Sequence, residues 1–319
     1  MQSPAAAFEL QAAVQRFCAL EERVSAVHPT ALYHAALAQL HDICASVLQC
    51  EAAGMDRASI VQLLEPARAI HARAPFVRRL QDWPRGYTGD FETVDYICRG
   101  RNDAPSGTLE YVCQAYSLNF PIAQQHRNKV QHQAARILKT MMERPRESRI
   151  LALACGGAPD FALIAPMLEN LAGEIWLNDA DEEALVEASR VVEHIRARCR
   201  FIHENAMKIV GRVPGGFDLV LAGGLFDYLP DRAAIFLLRT VYRRLLRDGG
   251  TFFFTNIARD NPFRCLIEYI GDWFLIERSE DDVIALCREA RIPGNAIALR
   301  REETGLAVLV EITKEIPKS

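Results

Sequence analysis

Apolar residues recur at helical spacing from about residue 5 to residue 75, as in Phe17, Leu20 and Val24, then Leu32, Ala35, Leu37, Leu40, Ile43, Val47 and Leu48. Residues three and four apart line one face of a helix, so this stretch predicts two or three helices. Pro29, Gly54 and Pro66 punctuate it, as short helix-to-helix connections would. The run Asp82-Trp83-Pro84-Arg85-Gly86-Tyr87-Thr88-Gly89-Asp90 breaks the pattern and reads as a shaped loop. Its last residue, Asp90, is placed to cap the helix that follows. Two more helices are expected near 104–118 and 122–143, separated around Asn119 and Pro121.

From residue 149 the rhythm changes to short apolar runs alternating with helical stretches, the pattern of βαβ units and a parallel sheet. The runs are Arg149 to Cys155, Glu174 to Asp179, Cys199 to His203, Phe217 to Ala222 and Thr251 to Thr255, with helices over 161–171, 182–195 and 232–246. An insertion then precedes a helix near 281–290, a strand near 296–302 and a last strand from Leu306 to Thr313. Glu303-Thr304-Gly305 joins the final pair as an antiparallel hairpin.

Composition narrows the reading. Half of the 319 residues are hydrophobic and 24% are charged, which suits a globular protein and excludes collagen-like or disordered classes. A net charge of -4 speaks against nucleic acid or an anionic membrane held by bulk electrostatics. The charge is uneven, with 16 basic and 15 acidic residues up to 148 and 21 basic and 26 acidic beyond, a division that coincides with the change of rhythm. Nine cysteines without a CxxC pair suit reduced thiols in a cytoplasm better than a disulfide framework or zinc site. The N-terminus lacks a basic region and carries Glu9 within its apolar stretch, unlike a signal peptide, and no window is long and apolar enough to span a membrane. His126 and His132 do not share an i, i+4 face, so no metal is expected.

In an open parallel sheet a ligand binds beyond the carboxyl ends of the strands, near the switch point. The first strand ends in Ala154-Cys155-Gly156-Gly157-Ala158-Pro159-Asp160, whose small residues let a ligand approach the backbone and the helix N-terminus behind it. The second ends in Asp179, followed by Ala180, where a carboxylate can accept both hydroxyls of a ribose. GxGxxG and a P-loop lysine are both missing, which argues against a dinucleotide or a nucleoside triphosphate.

With these motifs in order, residues 149–314 resemble a class I S-adenosylmethionine-dependent methyltransferase. Ile150 to Ala158 sits where that superfamily has its first glycine motif, and Leu177 to Leu185 is similar to its ribose-binding stretch. Glu204-Asn205-Ala206 falls at the position that reads the adenine amine, with Asn205 in place of the usual Asp. Two departures stand out. The superfamily's acid inside the first strand is Ala152 here, and its first and third motif glycines are Ala154 and Ala158.

The blocks Arg85 to Glu92, His126 to Val130, Asn261 to Glu268 and Asp272 to Arg278 further resemble a bacterial methyltransferase family that includes proteins for biosynthesis of a 3-hydroxy fatty-acid methyl ester signal. The resemblance implies an α/β fold: a Rossmann-like seven-stranded sheet with an N-terminal helical domain. It divides the chain into a helical substrate-capping domain over 1–146 and an S-adenosyl-L-methionine-binding domain over 147–319, with 258–280 as a cap insertion.

Within this reading Arg85, Tyr87 and Asp90 form a lid on the cofactor, Asp90 taking the methionine ammonium in place of the acid lost at Ala152; the alternative is that Asp90 caps a helix and pairs with Arg85. Cys155, Gly156, Gly157, Asp160, Asp179, Ala180, Asn205, Ala206, Ala222, Gly223 and Phe226 are assigned to the cofactor, Phe226 packing on adenine. Asp227 and Tyr228, together with Tyr87, are the catalytic candidates that orient or deprotonate a nucleophile. Arg127, Asn128, Asn256, Glu268, Asp272 and Trp273 are assigned to substrate, although Arg127 and its neighbours also fit a solvated basic face, and Glu268 and Asp272 also fit pairing with Arg264 or Arg278. The implied reaction is methyl transfer to a small-molecule acceptor, first an oxygen such as a fatty-acid carboxylate, with an amine or guanidine nitrogen as the alternative. A cofactor-binding protein without turnover, and a homodimer, are further readings.

Overall fold

The computed structural model describes residues 4–316. The chain divides into two compact units, one of Met1–Gln124 with Pro262–Phe274 and one of Gln125–Asn261 with Leu275–Ser319.

The first unit is helical: α1 (Pro4–Cys18), α2 (Pro29–Ala52), α3 (Arg57–His71), α4 (Pro75–Asp82), α5 (Phe91–Arg99) and α6 (Leu109–Asn119). Three helices, α1 to α3, occupy the stretch for which the spacing predicts two or three, and α4 begins where it ends. Pro66 does not separate two of them but lies inside α3, and the break comes at Pro75, which opens α4. Proline at the first helical position loses no hydrogen bond, so it marks a start more reliably than an end. Asp56 and Asp90 cap α3 and α5 through Ser59 and Thr93 N–H groups, both at 3.0 Å. His71 lies fully buried in this core, stacked on Phe17 at 4.9 Å and hydrogen-bonded to the Tyr116 hydroxyl.

The segment 262–274 belongs to this unit through a dense set of polar ties. Glu51 of α2 pairs with Arg264 at 2.5 Å and accepts the Tyr269 hydroxyl at 2.7 Å. Asp272 pairs with Arg57 at 3.0 Å and Arg68 at 2.5 Å, and Gln81 donates to the Ile270 carbonyl at 2.8 Å.

The second unit holds α7 (Pro121–Glu143), β1 (Ser148–Leu153), α8 (Pro159–Leu168), β2 (Gly173–Asp179), α9 (Glu182–Val191), β3 (Cys199–His203), α10 (Ala206–Ile209), β4 (Phe217–Ala222), α11 (Asp231–Thr240), β5 (Leu246–Ile257), α12 (Glu280–Glu289), β6 (Ile297–Arg301) and β7 (Ala307–Thr313). The seven strands form one sheet in the order β3-β2-β1-β4-β5-β7-β6. β1 to β5 run parallel and β7 is antiparallel to both neighbours. Side-chain alternation splits the core in two. Ile150, Ala152, Ile175, Leu177, Leu219, Leu221 and Phe253 meet α7, α8 and α9, while Leu151, Leu153, Val220, Phe252 and Phe254 meet α11 and α12.

The expected division at 146 therefore moves to the first turn of α7. Ala134, Ile137 and Met141 bury one face of that helix on the sheet beside Ile150 and Ala152, so α7 is part of the α/β layer and not of the helical bundle. Burying side chains the size of Ile137 and Met141 stabilises the packing by about 1.5–3 kcal/mol each. Among the described residues no helix is long and apolar enough to cross a membrane, and all nine cysteines are free thiols.

Candidate functional site

The sheet order places β1 and β4 side by side, with the chain leaving them toward opposite flanks, β1 to β2 and β4 to β5. The loops at the carboxyl ends of β1, β2, β3 and β4 converge there. The β1 loop is unusual in its backbone. Ala154, Gly156 and Ala158 have φ of 50°, 55° and 57°, the left-handed region. For alanine this costs roughly 1 kcal/mol per residue, so the surrounding bonds must hold the loop in place. Cys155 N–H donates to the Asn178 carbonyl at 2.9 Å, Gly156 N–H to Asp179 Oδ2 at 2.8 Å and Ala158 N–H to the Cys155 carbonyl at 3.0 Å. The two alanines thus keep the conformation that glycine adopts most readily.

Asp179 has its other oxygen on the Asp181 N–H at 2.9 Å, and burial lifts its carboxyl above the usual range. Each carboxylate oxygen retains accepting capacity beyond these bonds. Asn178, which sequence reasoning did not single out, ties the ends of β2 and β3 together by donating to the carbonyls of Ile202 at 2.9 Å and Glu204 at 2.6 Å. Its place inside an apolar strand was the available signal. Asp160 follows the loop in the first turn of α8, buried, with its carboxylate on the Phe161 N–H at 3.0 Å and no side-chain partner among the described residues. Burial pushes it up to about 7. Cys155 lies close by, its thiol raised well above its ordinary value by burial and by the charges of Asp179 and Asp160.

At the end of β3, Asn205 accepts the Met207 N–H at 2.9 Å and so caps α10, while Ala206 is buried and Ala180 accepts from His203 at 3.0 Å. At the end of β4, Ala222 is buried, and a side chain at Gly223 would fall 2.0 Å from Gln133 Oε1 of α7. A side chain there would have to displace the end of the Gln133 side chain. Gly157 is buried behind the β1 loop.

Several assignments made from sequence are corrected here. Phe226 is fully buried and stacked on Phe254 at 4.0 Å, so its ring is core and has no face to offer an adenine. Asp227 is 2% exposed, pairs with Lys129 at 3.1 Å and accepts the Ile257 N–H at 2.6 Å. A carboxylate so engaged holds α7 and β5 together and is a poor general base. Asn256 is fully buried, donating to the Ile257 and Ile276 carbonyls at 3.0 and 2.7 Å and accepting from Arg278 at 2.7 Å, so it organises backbone and does not reach substrate. Arg278, missed as an organiser, spans Phe226, Leu229, Asn256 and Asp231 from a site 3% exposed. The solvated basic face is overturned too, since Asn128 and Lys129 are buried and Asn128 donates to Glu302 at 2.7 Å. Arg127 is half-buried beside them. Tyr228, at 37% exposure, closes the turn after β4.

The remaining candidates lie in the helical unit. Asp90 is 2% exposed, pairs with Arg79 at 2.6 Å and caps α5, so its charge is already met within the unit. Arg85 lies 3.6 Å from Glu92 and 4.8 Å above the Phe91 ring, not on Asp90. Tyr87 is 41% exposed and Trp273 is buried. Glu268 pairs with Arg264 at 2.9 Å as its spacing allowed, whereas Asp272 pairs with Arg57 and Arg68 and not with Arg278. Among the described residues no group of three or more His, Cys, Asp or Glu is arranged to hold a metal.

No protein-family model matches the chain, and no curated protein does. Solved structures do. A protein of Bordetella parapertussis described as a possible exported protein matches 99% of this chain and 100% of its own, at 15% identity and a TM-score of 0.59. Magnesium protoporphyrin IX methyltransferase of Synechocystis with bound S-adenosylhomocysteine matches 61% of this chain and 88% of its own, at 11% identity and a TM-score of 0.45. An O-methyltransferase family protein of Burkholderia thailandensis matches 75% and 70%, at 15% identity and a TM-score of 0.46. At such identities the likeness concerns the fold.

The site's own residues fit an S-adenosylmethionine-type ligand. The left-handed loop is only part-buried at Ala154, Cys155 and Gly156, Asp179 retains acceptors for ribose hydroxyls, and the buried Asp160 carboxyl lacks a side-chain partner among the described residues.

Proposed function

We propose that this chain is an S-adenosyl-L-methionine-dependent methyltransferase acting on a small molecule. The observation that carries the reading is the β1 loop, held in a left-handed path at Ala154, Gly156 and Ala158 and tied to Asp179 by the Gly156 N–H. Maintaining that strain at two alanines makes sense where backbone must meet a ligand. Gly156, Gly157 and Asp179 hold the nucleoside, with Ala180, Asn205 and Ala206 lining the adenine side. The cofactor supplies an electrophilic methyl group, and the protein contributes alignment and exclusion of water.

The acceptor we favour is oxygen, a carboxylate or hydroxyl of a fatty-acid-like or other secondary metabolite, in keeping with the resemblance to the 3-hydroxy fatty-acid methyl ester family. A carboxylate is already ionised at neutral pH and needs no base, which agrees with an Asp227 that is bound to Lys129. Acidic residues that would have favoured an amine or guanidine are paired: Asp227 with Lys129, Glu268 with Arg264, and Asp272 with Arg57 and Arg68. Tyr228 is the side chain we place beside the acceptor. Free thiols suit a cytoplasmic setting.

Equilibrium titration with S-adenosylhomocysteine tests the binding half, with Asp179→Ala expected to weaken affinity at least tenfold, about 1.4 kcal/mol. Labelled methyl transfer from S-adenosylmethionine into extract fractions tests the other half. Tight binding with no methylated product in any fraction would leave a cofactor-binding protein and end the enzyme reading.

A further inference from the structure

A bound aminocarboxylate brings an ammonium group out of water, and a buried cation without a counter-charge is costly. β1 offers none, because Ala152 is an apolar residue packed among Ile150, Phe161 and Leu177. Asp90 offers none either, being committed to Arg79 and the start of α5. One carboxyl on the β1–α8 connection remains. Asp160 is 5% exposed, accepts only backbone N–H, and has no side-chain partner among the described residues. Its charge and that of Asp179 both act on the Cys155 thiol, so both carboxyls lie near the β1 loop, whose Gly156 N–H donates to Asp179 at 2.8 Å.

Cations on the packed elements are occupied elsewhere. On α7, Arg136 is held by Thr251 at 2.7 Å and Glu311 at 3.6 Å. Beyond α9, His194 and Arg198 reach α8 only in its later part, at the Ala165 and Leu168 carbonyls. Among the described residues the ionisable group that meets Asp160 is thus the Cys155 thiol on its own loop.

Building on the methyltransferase reading, we infer that Asp160 supplies the counter-charge for the α-ammonium of the cofactor's aminocarboxylate, in place of an acid on β1. Burial holds the unliganded carboxyl near pH 7, so pairing with an ammonium releases its proton to solvent. Cofactor binding at pH 7 is then linked to net proton release.

The test compares two ligands on two proteins. S-adenosylhomocysteine carries the aminocarboxylate, and 5′-methylthioadenosine has the nucleoside and sulfur without it. Calorimetry at pH 7 in buffers of different ionisation enthalpy counts protons. The wild-type protein is expected to bind S-adenosylhomocysteine with proton release, and Asp160→Asn to bind it at least tenfold more weakly without that release. Unchanged 5′-methylthioadenosine affinity in Asp160→Asn serves as the check that the variant is folded. Equal S-adenosylhomocysteine affinity in the two proteins overturns the inference and leaves the methyltransferase reading standing. Proton uptake by the wild type overturns it too, since Asp160 would then be a neutral donor to the carboxylate. Failure of the wild type to bind either ligand removes the methyltransferase reading and this inference together.

Discussion

Ala154 illustrates how a single residue can carry both strain and information. Its φ of 50° places a methyl-bearing backbone where glycine is the comfortable choice, and it is only half-buried, so little packing would be lost with the methyl. Ala154→Gly is accordingly expected to stabilise the unliganded protein by about 0.5–1 kcal/mol, against the usual sign for a glycine substitution. Urea denaturation measures it, and a loss of stability would show that the loop is not strained. Ala158 shares the conformation but is fully buried in the core, so its methyl also packs and the corresponding gain should be smaller. From sequence these alanines read as departures from a glycine motif. The backbone shows that the loop's shape persists although the residue type has changed, because bonds from Asn178 and Asp179 fix it.

At the scale of elements, α7 is fastened to the sheet by a buried ion pair as well as by its apolar face. Lys129 and Asp227 have side chains 4% and 3% exposed, 3.1 Å apart. Removing one partner of such a pair strands the other charge, so Asp227→Asn should cost about 3–5 kcal/mol in urea denaturation. Lys129→Met added to Asp227→Asn should recover most of that loss, since the amide oxygen can still accept the Ile257 N–H. Additive losses in the double variant would instead mean that the two side chains act independently. The same pair explains what sequence could and could not convey. β3 and β4 match their expected bounds because their apolar runs end abruptly at charged or glycine-rich turns. β5 runs from Leu246 to Ile257, beyond Thr251 to Thr255 at both ends: Asp248-Gly249-Gly250 interrupts the apolar run before it, and after it polar Asn256 is buried by hydrogen bonds that no apolar pattern registers. Asp227 follows β4 as expected, whereas Asn256, expected in the insertion after the fifth strand, lies within β5. Their partners lie 98 and 22 residues away in sequence, at Lys129 and Arg278, and spacing alone cannot supply such pairings.

Across the whole molecule buried ionisable groups act in opposite senses, and the sheet unit holds both, since burial lowers His126 as well as raising Asp160. In the helical unit, burial lowers His71 from its ordinary 6.5 to about 4. The folded chain therefore refuses a proton that the unfolded chain binds, and this unit loses stability as pH falls from 6.5 towards 4. In the sheet unit, burial raises Asp160 from 3.8 to about 7. There the folded chain keeps a proton that the unfolded chain releases, so stability is lost as pH rises from 3.8 to 7. Between pH 4 and 6.5 the two slopes oppose each other, which flattens the response of the intact protein and hides both groups. Asp160→Asn exposes them. Its stability relative to wild type should grow by about 2–3 kcal/mol between pH 5 and pH 8, most of it below pH 7, at roughly 1.4 kcal/mol per pH unit. The variant should then show the slope of the buried histidines, His71 and His126 together, gaining stability up to pH 6.5 and levelling above. Urea denaturation at pH 4.5, 5.5, 6.5 and 8 reads both effects, and a wild type and variant that run parallel across that range would mean that Asp160 titrates as an ordinary surface carboxylate.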